Sequence, residues 1–278
     1  MRAAVLLDLD DVDFIEPNFE RLTDNSYTNQ LLTLPAKQAK LLISEDEWPL
    51  ALAIGDGKSW KAGSFLLRKP TEAVIERAEE LEAEILQEER HDWEAAVREW
   101  FSLRIAREVQ PAIEDFTPKR AVLVEELLRQ VWGDVEGETC IDACCGSGAG
   151  TVALRQTGII PLSFDNDPSL LSLGLHSGRL APEDTICLDG TKASNYLPHT
   201  QLGMILMAGE ISQYNQIFWR KIIEEMLELT EKTLVSTGTE KEALLVESWS
   251  KDKGRKVAVI ENKRDAFYDN WICDIRRS

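Results

Sequence analysis

The stretch Thr139-Cys-Ile-Asp-Ala-Cys-Cys-Gly-Ser-Gly-Ala-Gly-Thr151 decides the fold. Cys140–Ala143 reads as a short buried strand that ends beside an acid, Asp142. A glycine-rich turn follows, and a helix is expected over Gly150–Gln156. Glycines let the backbone approach a ligand closely, and a helix start presents free N–H groups. Strand, glycine turn and helix in this order place a nucleotide-like ligand at the carboxyl end of the first strand of an open α/β sheet.

The text on either side keeps the same alternation. Upstream, Phe116-Thr-Pro-Lys119 marks a boundary, with Thr117 as cap and Pro118 in the first turn of a helix carrying Val122, Leu123, Leu127, Leu128 and Val131. Downstream, strands are expected at Ile159–Phe164, Thr185–Leu188, Met204–Met207 and Lys232–Ser236. Helices are expected at Pro168–Ser177, Gln213–Leu229 and Glu240–Ser250. Lys256–Ile260 and Trp271–Ile275 close the chain, and their short connection returns the last strand antiparallel. Alternating strands and helices imply a three-layer, Rossmann-like α/β sandwich with a mostly parallel seven-stranded sheet over residues 116–278.

Residues 1–115 read as a separate, mainly helical acidic domain with a short β-hairpin. Leu50–Ile54 and Ser64–Leu67 flank a Gly-rich turn and supply the hairpin. Val74, Ala78, Leu81 and Ile85 recur at helical spacing, and a break at His91–Asp92 precedes a second helix. There Trp93, Ala96, Val97, Trp100 and Leu103 share a face, read as core. The glutamates from Glu76 to Glu89 read as a solvated helix face.

Spacing within the decisive stretch discriminates between ligands. Gly146, Gly148 and Gly150 give G-x-G-x-G in place of the dinucleotide G-x-G-x-x-G. Asp142 stands four residues before the first of them. A carboxylate there repels a pyrophosphate and attracts the ammonium of an amino acid, which favours S-adenosylmethionine. Asp165 follows Asp142 by 23 residues and ends the second strand, placed to accept from a ribose diol. Asp189 follows the third strand, where it can accept from an exocyclic adenine amine.

On these residues the chain resembles the class I S-adenosylmethionine-dependent methyltransferases, over about residues 118–278 and most strongly from Cys140 to Gly190. The resemblance implies that S-adenosylmethionine is the cofactor. It implies that Asp142, Ala143, Cys144, Gly146 and Gly148 line its methionine end and that Asp165 binds the ribose. It further implies Asn166, Asp189 and Gly190 beside the adenine, and Ala208 after the fourth strand. Cys144 departs from the glycine of many members but is small enough for the pattern. The Asp-Ala-Cys-Cys-Gly-Ser-Gly wording also resembles RNA guanine N-methyltransferases with THUMP domains, which carry Asn/Asp-Pro-Pro after the fourth strand. Here that segment reads Leu206-Met-Ala-Gly-Glu-Ile-Ser-Gln-Tyr-Asn215, which argues against methylation of a base amine. In this fold the segment faces the transferred methyl, so Glu210 is the candidate base and Tyr214 the candidate acceptor-orienting residue.

Charge bears on partners. The 278 residues hold 31 Lys and Arg against 49 Asp and Glu, a net charge of −18. Residues 1–115 hold 13 against 25 of these. Nucleic-acid binders display a basic field, so nucleic acid is not the expected partner. A small-molecule or basic protein acceptor is expected, with an RNA methyltransferase and a non-catalytic cofactor-binding scaffold or sensor as the alternatives. Methyltransferase domains commonly take acceptor specificity from an added domain, so residues 1–115 are expected to cover the substrate mouth. Five cysteines, two of them adjacent, suit neither a disulfide framework nor a zinc site. His91, His176 and His199 show no pairing pattern, and no metal is expected. The start of the chain lacks the long apolar core of a secretory signal and no run reaches a membrane span, so a cytoplasmic protein is expected.

Overall fold

Residues 1–114, 116–265 and 267–277 are described in a computed structural model, and the chain divides into two units, Met1–Arg104 and Ile105–Ser278. The division falls inside a helix, ahead of the 115/116 boundary read from Phe116-Thr-Pro-Lys119.

The first unit sets its helices beside a five-stranded sheet, more strand than the single hairpin expected. Its elements are α1 (Arg2–Leu6), β1 (Asp13–Phe14), α2 (Ser26–Leu32), β2 (Gln38–Ile43), β3 (Pro49–Gly55), β4 (Trp60–Ser64), α3 (Glu72–Glu80) and β5 (Glu84–Gln87), followed by α4 (Arg90–Glu108). The five strands lie in the order β1-β4-β3-β2-β5. The expected hairpin is β3–β4, but its second strand begins earlier, at Trp60. The reason is the turn: Asp56 Oδ1 accepts from Lys58 N at 2.8 Å and Ser59 N at 2.9 Å, closing it before Trp60. The helix expected through Ile85 stops at Glu80. Glu82 adopts φ 48°, Ala83 N donates back to Ala78 O, and the chain turns into β5 beside β2. Ile85 is therefore an exposed strand residue, and the break falls at Glu82 instead of His91–Asp92. Trp93 and Trp100 are core as expected, and Phe14 packs on both rings.

At the centre of this unit Glu16 and Arg68 form an ion pair with both side chains essentially out of water. Arg68 also donates to Thr28 Oγ1 at 2.9 Å and Leu22 O at 3.1 Å. Burial pushes the Glu16 carboxyl up, and the Arg68 guanidinium opposes that.

The second unit carries α5 (Pro118–Trp132), β6 (Thr139–Ala143), α6 (Ala149–Gln156), β7 (Ile160–Asp165), α7 (Pro168–His176), β8 (Thr185–Cys187), β9 (Thr200–Ile205), α8 (Gln216–Leu229), β10 (Thr230–Thr237), α9 (Glu240–Asp252), β11 (Lys256–Glu261) and β12 (Trp271–Arg276). Its seven strands lie in the order β11-β12-β10-β9-β6-β7-β8. All neighbours pair parallel except β12, which runs antiparallel to both β10 and β11. This is the mostly parallel, seven-stranded Rossmann-like sheet expected. The fourth strand differs in register: β9 ends at Ile205, so Leu206 and Met207 lie beyond it.

Side chains alternate across this sheet as a pleat requires. Cys140, Leu202, Met204, Leu234 and Ile272 pack with Val124, Leu128 and Trp132 of α5 and Ala153 and Leu154 of α6. On the other face Gly203 admits α8, since a Cβ there would stand 2.6 Å from Thr230 Cγ2 and 2.9 Å from Met226 Cε. From β8 the chain crosses back over β6 and β7 to place β9 on the free side of β6. That reversal opens a crevice at the carboxyl ends of β6 and β9. Among the described residues, no helix is long and apolar enough to cross a membrane.

Replacing Arg68 by Met strands a buried carboxylate and is expected to cost about 3–5 kcal/mol, read from the urea midpoint. Replacing Glu16 and Arg68 together by Met should recover most of the loss. A single variant as stable as the parent would mean the pair is not buried in solution.

Candidate functional site

The crevice holds a cavity of about 240 Å³, lined by the β6–α6 turn, Asp165, the start of α5 and residues 206–207 and 268. The turn is built by backbone conformation. Cys144, Gly146 and Gly148 all take positive φ, at 54°, 55° and 91°. Gly148 N donates to Cys145 O, and Cys145 N donates to Phe164 O, which ties the turn to β7. Gly150 is glycine for space: a Cβ would meet Met204 Cε at 2.7 Å, Leu206 Cδ1 at 2.9 Å and Asp142 Oδ1 at 3.3 Å.

Asp142 lies at the floor, 1% exposed. Its Oδ2 accepts from Thr151 Oγ1 at 2.6 Å, and Thr151 contacts Ser163 Oγ at 3.1 Å. Burial pushes the Asp142 carboxyl up to about 7, the hydrogen bond from Thr151 opposes this, and the Asp165 charge adds to it. Asp165 accepts from Gly146 N at 2.9 Å and Asp167 N at 2.8 Å. Its carboxyl is also pushed up, chiefly by burial, against the pull of those N–H groups. The neighbouring thiol of Cys144 is pushed up to about 12 by burial and the two acids, so it stays protonated.

Asp142, Cys144, Gly146 and Asp165 line the cavity as the sequence suggested, and Gly148 starts the helix behind them. Ala143 is buried inside β6. Asn166 is exposed just past Asp165. Asp189 caps a short 3-10 helix, Gly190–Asn195, by accepting from Thr191 N at 2.9 Å and Thr191 Oγ1 at 2.8 Å. Burial raises its carboxyl, but Thr191 and Lys192 outweigh this and hold it below the usual range. Gly190 is buried against Phe164 and Ile222. Ala208 is buried with its N–H on Ser236 O. Glu210 and Tyr214 do not line the cavity: Glu210 is exposed, and Tyr214 is 93% exposed. Asn215 Nδ2 donates to Glu210 O at 2.7 Å and folds the segment back on itself.

Arg120, Tyr268 and Met207, to which the sequence reading assigned no role, complete the lining. Arg120, on the first turn of α5, lies over the Tyr268 ring at 4.7 Å from guanidinium to centroid. Its Nη2 stands 3.5 Å from Asp269 Oδ2, and its Nε is buried with no hydrogen-bond partner. Asp269, 1% exposed, accepts from Ser236 Oγ and from Met207 N at 3.1 Å. Burial pushes the Asp269 carboxyl up and Arg120 opposes this. Met207 takes φ 50°, a conformation that costs a non-glycine residue on the order of 1–3 kcal/mol. Cys144 and Met207 thus place two strained residues in the lining of one cavity. The sequence signal for Arg120 was only its place after the Thr117-Pro118 cap. Tyr268 and Asp269 gave none, because they lie in a loop whose partners are remote in sequence.

No protein-family model matches the chain, and no curated protein matches it in sequence. Solved structures resemble it. Magnesium protoporphyrin IX methyltransferase from Synechocystis PCC 6803, solved with bound S-adenosylmethionine, is 16% identical over 66% of this chain and 97% of that chain, with a TM-score of 0.47. TrmN from Thermus thermophilus is 18% identical over 58% of this chain and 52% of that chain, with a TM-score of 0.45. Precorrin-6y C5,15-methyltransferase from Geobacter metallireducens GS-15 is 14% identical over 62% of this chain and 94% of that chain, with a TM-score of 0.44. These likenesses are to the Rossmann-like α/β fold of the second unit, with its seven-stranded sheet and antiparallel β12.

Proposed function

We propose that the second unit binds S-adenosylmethionine and transfers its methyl group to an acceptor at the mouth of the crevice. One observation carries this reading. Two buried acids, a glycine turn and, among the described lining residues, a single cation converge on one cavity at the switch point of the sheet.

The residues fit an α-amino acid joined to a nucleoside. Asp142 offers its Oδ1 to an ammonium, because Oδ2 is already engaged by Thr151. Arg120 offers donors to the carboxylate on the same carbon, and its unpartnered Nε is a group in want of an acceptor. Asp165 keeps a second lone pair on each oxygen for the ribose hydroxyls. Asn166, Asp189 and Gly190 follow β7 and β8, where the adenine would lie.

The cofactor supplies a methyl already activated on a sulfonium, so in-line displacement by an acceptor lone pair leaves a neutral thioether. The protein's part is orientation and exclusion of water. Leu206 and Met207 line the side toward the acceptor, and Tyr268 closes it from the β11–β12 loop. No proton step is assigned to Glu210 or Tyr214. A small-molecule or protein acceptor fits the acidic chain better than nucleic acid. A cofactor-binding scaffold would bind in the same way and differ only in showing no turnover.

Calorimetric titration with S-adenosylmethionine and S-adenosylhomocysteine is expected to give dissociation constants on the order of micromolar. Asp165→Ala should weaken both by roughly tenfold or more with the circular dichroism spectrum unchanged. Equal affinity in that variant would remove Asp165 from the ribose site, and no binding in the parent would remove the cofactor reading.

Affinity should also depend on pH. With its carboxyl at about 7, Asp142 is largely protonated near pH 6 in the free protein. An ammonium partner favours the ionised form, so affinity should rise roughly tenfold from about pH 6 to about pH 7.5, with proton release on binding. Asp142→Asn should flatten that profile. The same shift sets a stability trend. The native state keeps the proton longer than the unfolded chain, so the Asp142 contribution is full below about pH 4 and is lost as pH rises through about 7. Thermal melts of the free protein across that range check the sign.

A further inference from the structure

We infer that Tyr268, held by Arg120 and Asp269, is the platform that positions the acceptor, and that the acceptor is a planar aromatic small molecule carrying no positive charge. The inference rests on the cofactor reading above and extends it to the other substrate.

Three observations carry it. First, Tyr268 and Met207 both line the cavity and are both partly open to solvent, at 46% and 41% exposure. An aromatic ring and a thioether exposed at the opening of a site make a soft, polarisable surface that suits a flat π system. Second, the surface is held in place from behind. Asp265 Oδ1 accepts from Tyr268 N at 3.0 Å, which fixes the loop that carries the ring. Asp269, the next residue, is buried and anchors both Arg120 and the strained backbone of Met207. One carboxylate thereby couples the two lips of the opening. Third, the Arg120 guanidinium already lies against the Tyr268 ring. A cation on one face of a ring draws its π density toward itself. The opposite face is then a poorer partner for a second cation, and a better one for a neutral or anionic ring. The two acids of the floor do not restore a cation site at the mouth, because they face the cofactor's ammonium and ribose.

The test uses the full chain saturated with S-adenosylhomocysteine and three phenols of one skeleton that differ in charge: tyramine (cationic), tyrosol (neutral) and para-hydroxyphenylacetate (anionic). Affinities are read by calorimetry or by ligand-observed NMR. Tyrosol and para-hydroxyphenylacetate are expected to bind about fivefold or more tightly than tyramine. Tyr268→Leu, which keeps apolar bulk, should remove both the affinity and the preference when measured with S-adenosylhomocysteine kept at a concentration that saturates the variant. Tyr268→Phe should retain them, a rescue that a merely structural role for the hydroxyl would not give. Tightest binding of tyramine, or equal binding of the three to Tyr268→Leu and to the parent, overturns the inference and leaves the cofactor reading intact. Failure of S-adenosylhomocysteine to bind the parent overturns both.

Discussion

The hydrogen bond from Thr151 Oγ1 to Asp142 Oδ2, at 2.6 Å, joins the end of β6 to the first turn of α6, and the candidate site is arranged around it. A buried carboxylate without a partner is costly, and the cost falls on the ionised form. One donor from α6 satisfies one oxygen and leaves the other for a ligand. Glycine at 150 is required by the same packing, since any Cβ would press on Met204, Leu206 and Asp142. The glycine turn, the position of α6 and the half-satisfied acid are therefore consequences of one local arrangement. A ligand cation that reaches Asp142 completes it.

Asp269, behind the lining residues Arg120, Met207 and Tyr268, has a different construction. Its partners come from α5, from the segment after β9 and from β10, so it ties together three parts of the chain that no short motif links. It also bears on Met207, whose left-handed backbone persists because Ser236 Oγ, at 2.7 Å from its N–H, and Asp269 both hold it. Strain of this kind is stable only where the surroundings over-determine it. Cys144, also in the lining, is in the same position, within a turn bonded to β7 through Cys145 N.

The difference explains what could be read from the sequence. The floor is local: Asp142, the glycines and Thr151 fall within ten residues, and their spacing states their geometry. Asp165 was legible because it ends the next strand of a parallel sheet, whose buried strands read as apolar runs. Arg120 and Tyr268 meet only because the last hairpin folds beside α5, and nothing in the residues around either one records that contact. Glu210 and Tyr214 follow the fourth strand, the segment that faces the transferred methyl in the family this chain resembles, and in this chain both are exposed. Asn215 turns the segment back through Glu210 O and Ser212 N. In the first unit β1 has two residues and β5 sits among glutamates, so neither carries an alternation that sequence could show. The hairpin was visible because Asp56 and Gly57 mark its turn.

Locality also separates two parts of the lining. The part of the cavity lining made from β6, the glycine turn and α6 keeps its geometry as long as that unit folds. The part made from α5, the chain after β9 and the β11–β12 loop depends on three long-range contacts converging on Asp269. Changes in any of those segments would reshape the mouth and leave Asp142 and Asp165 where they are.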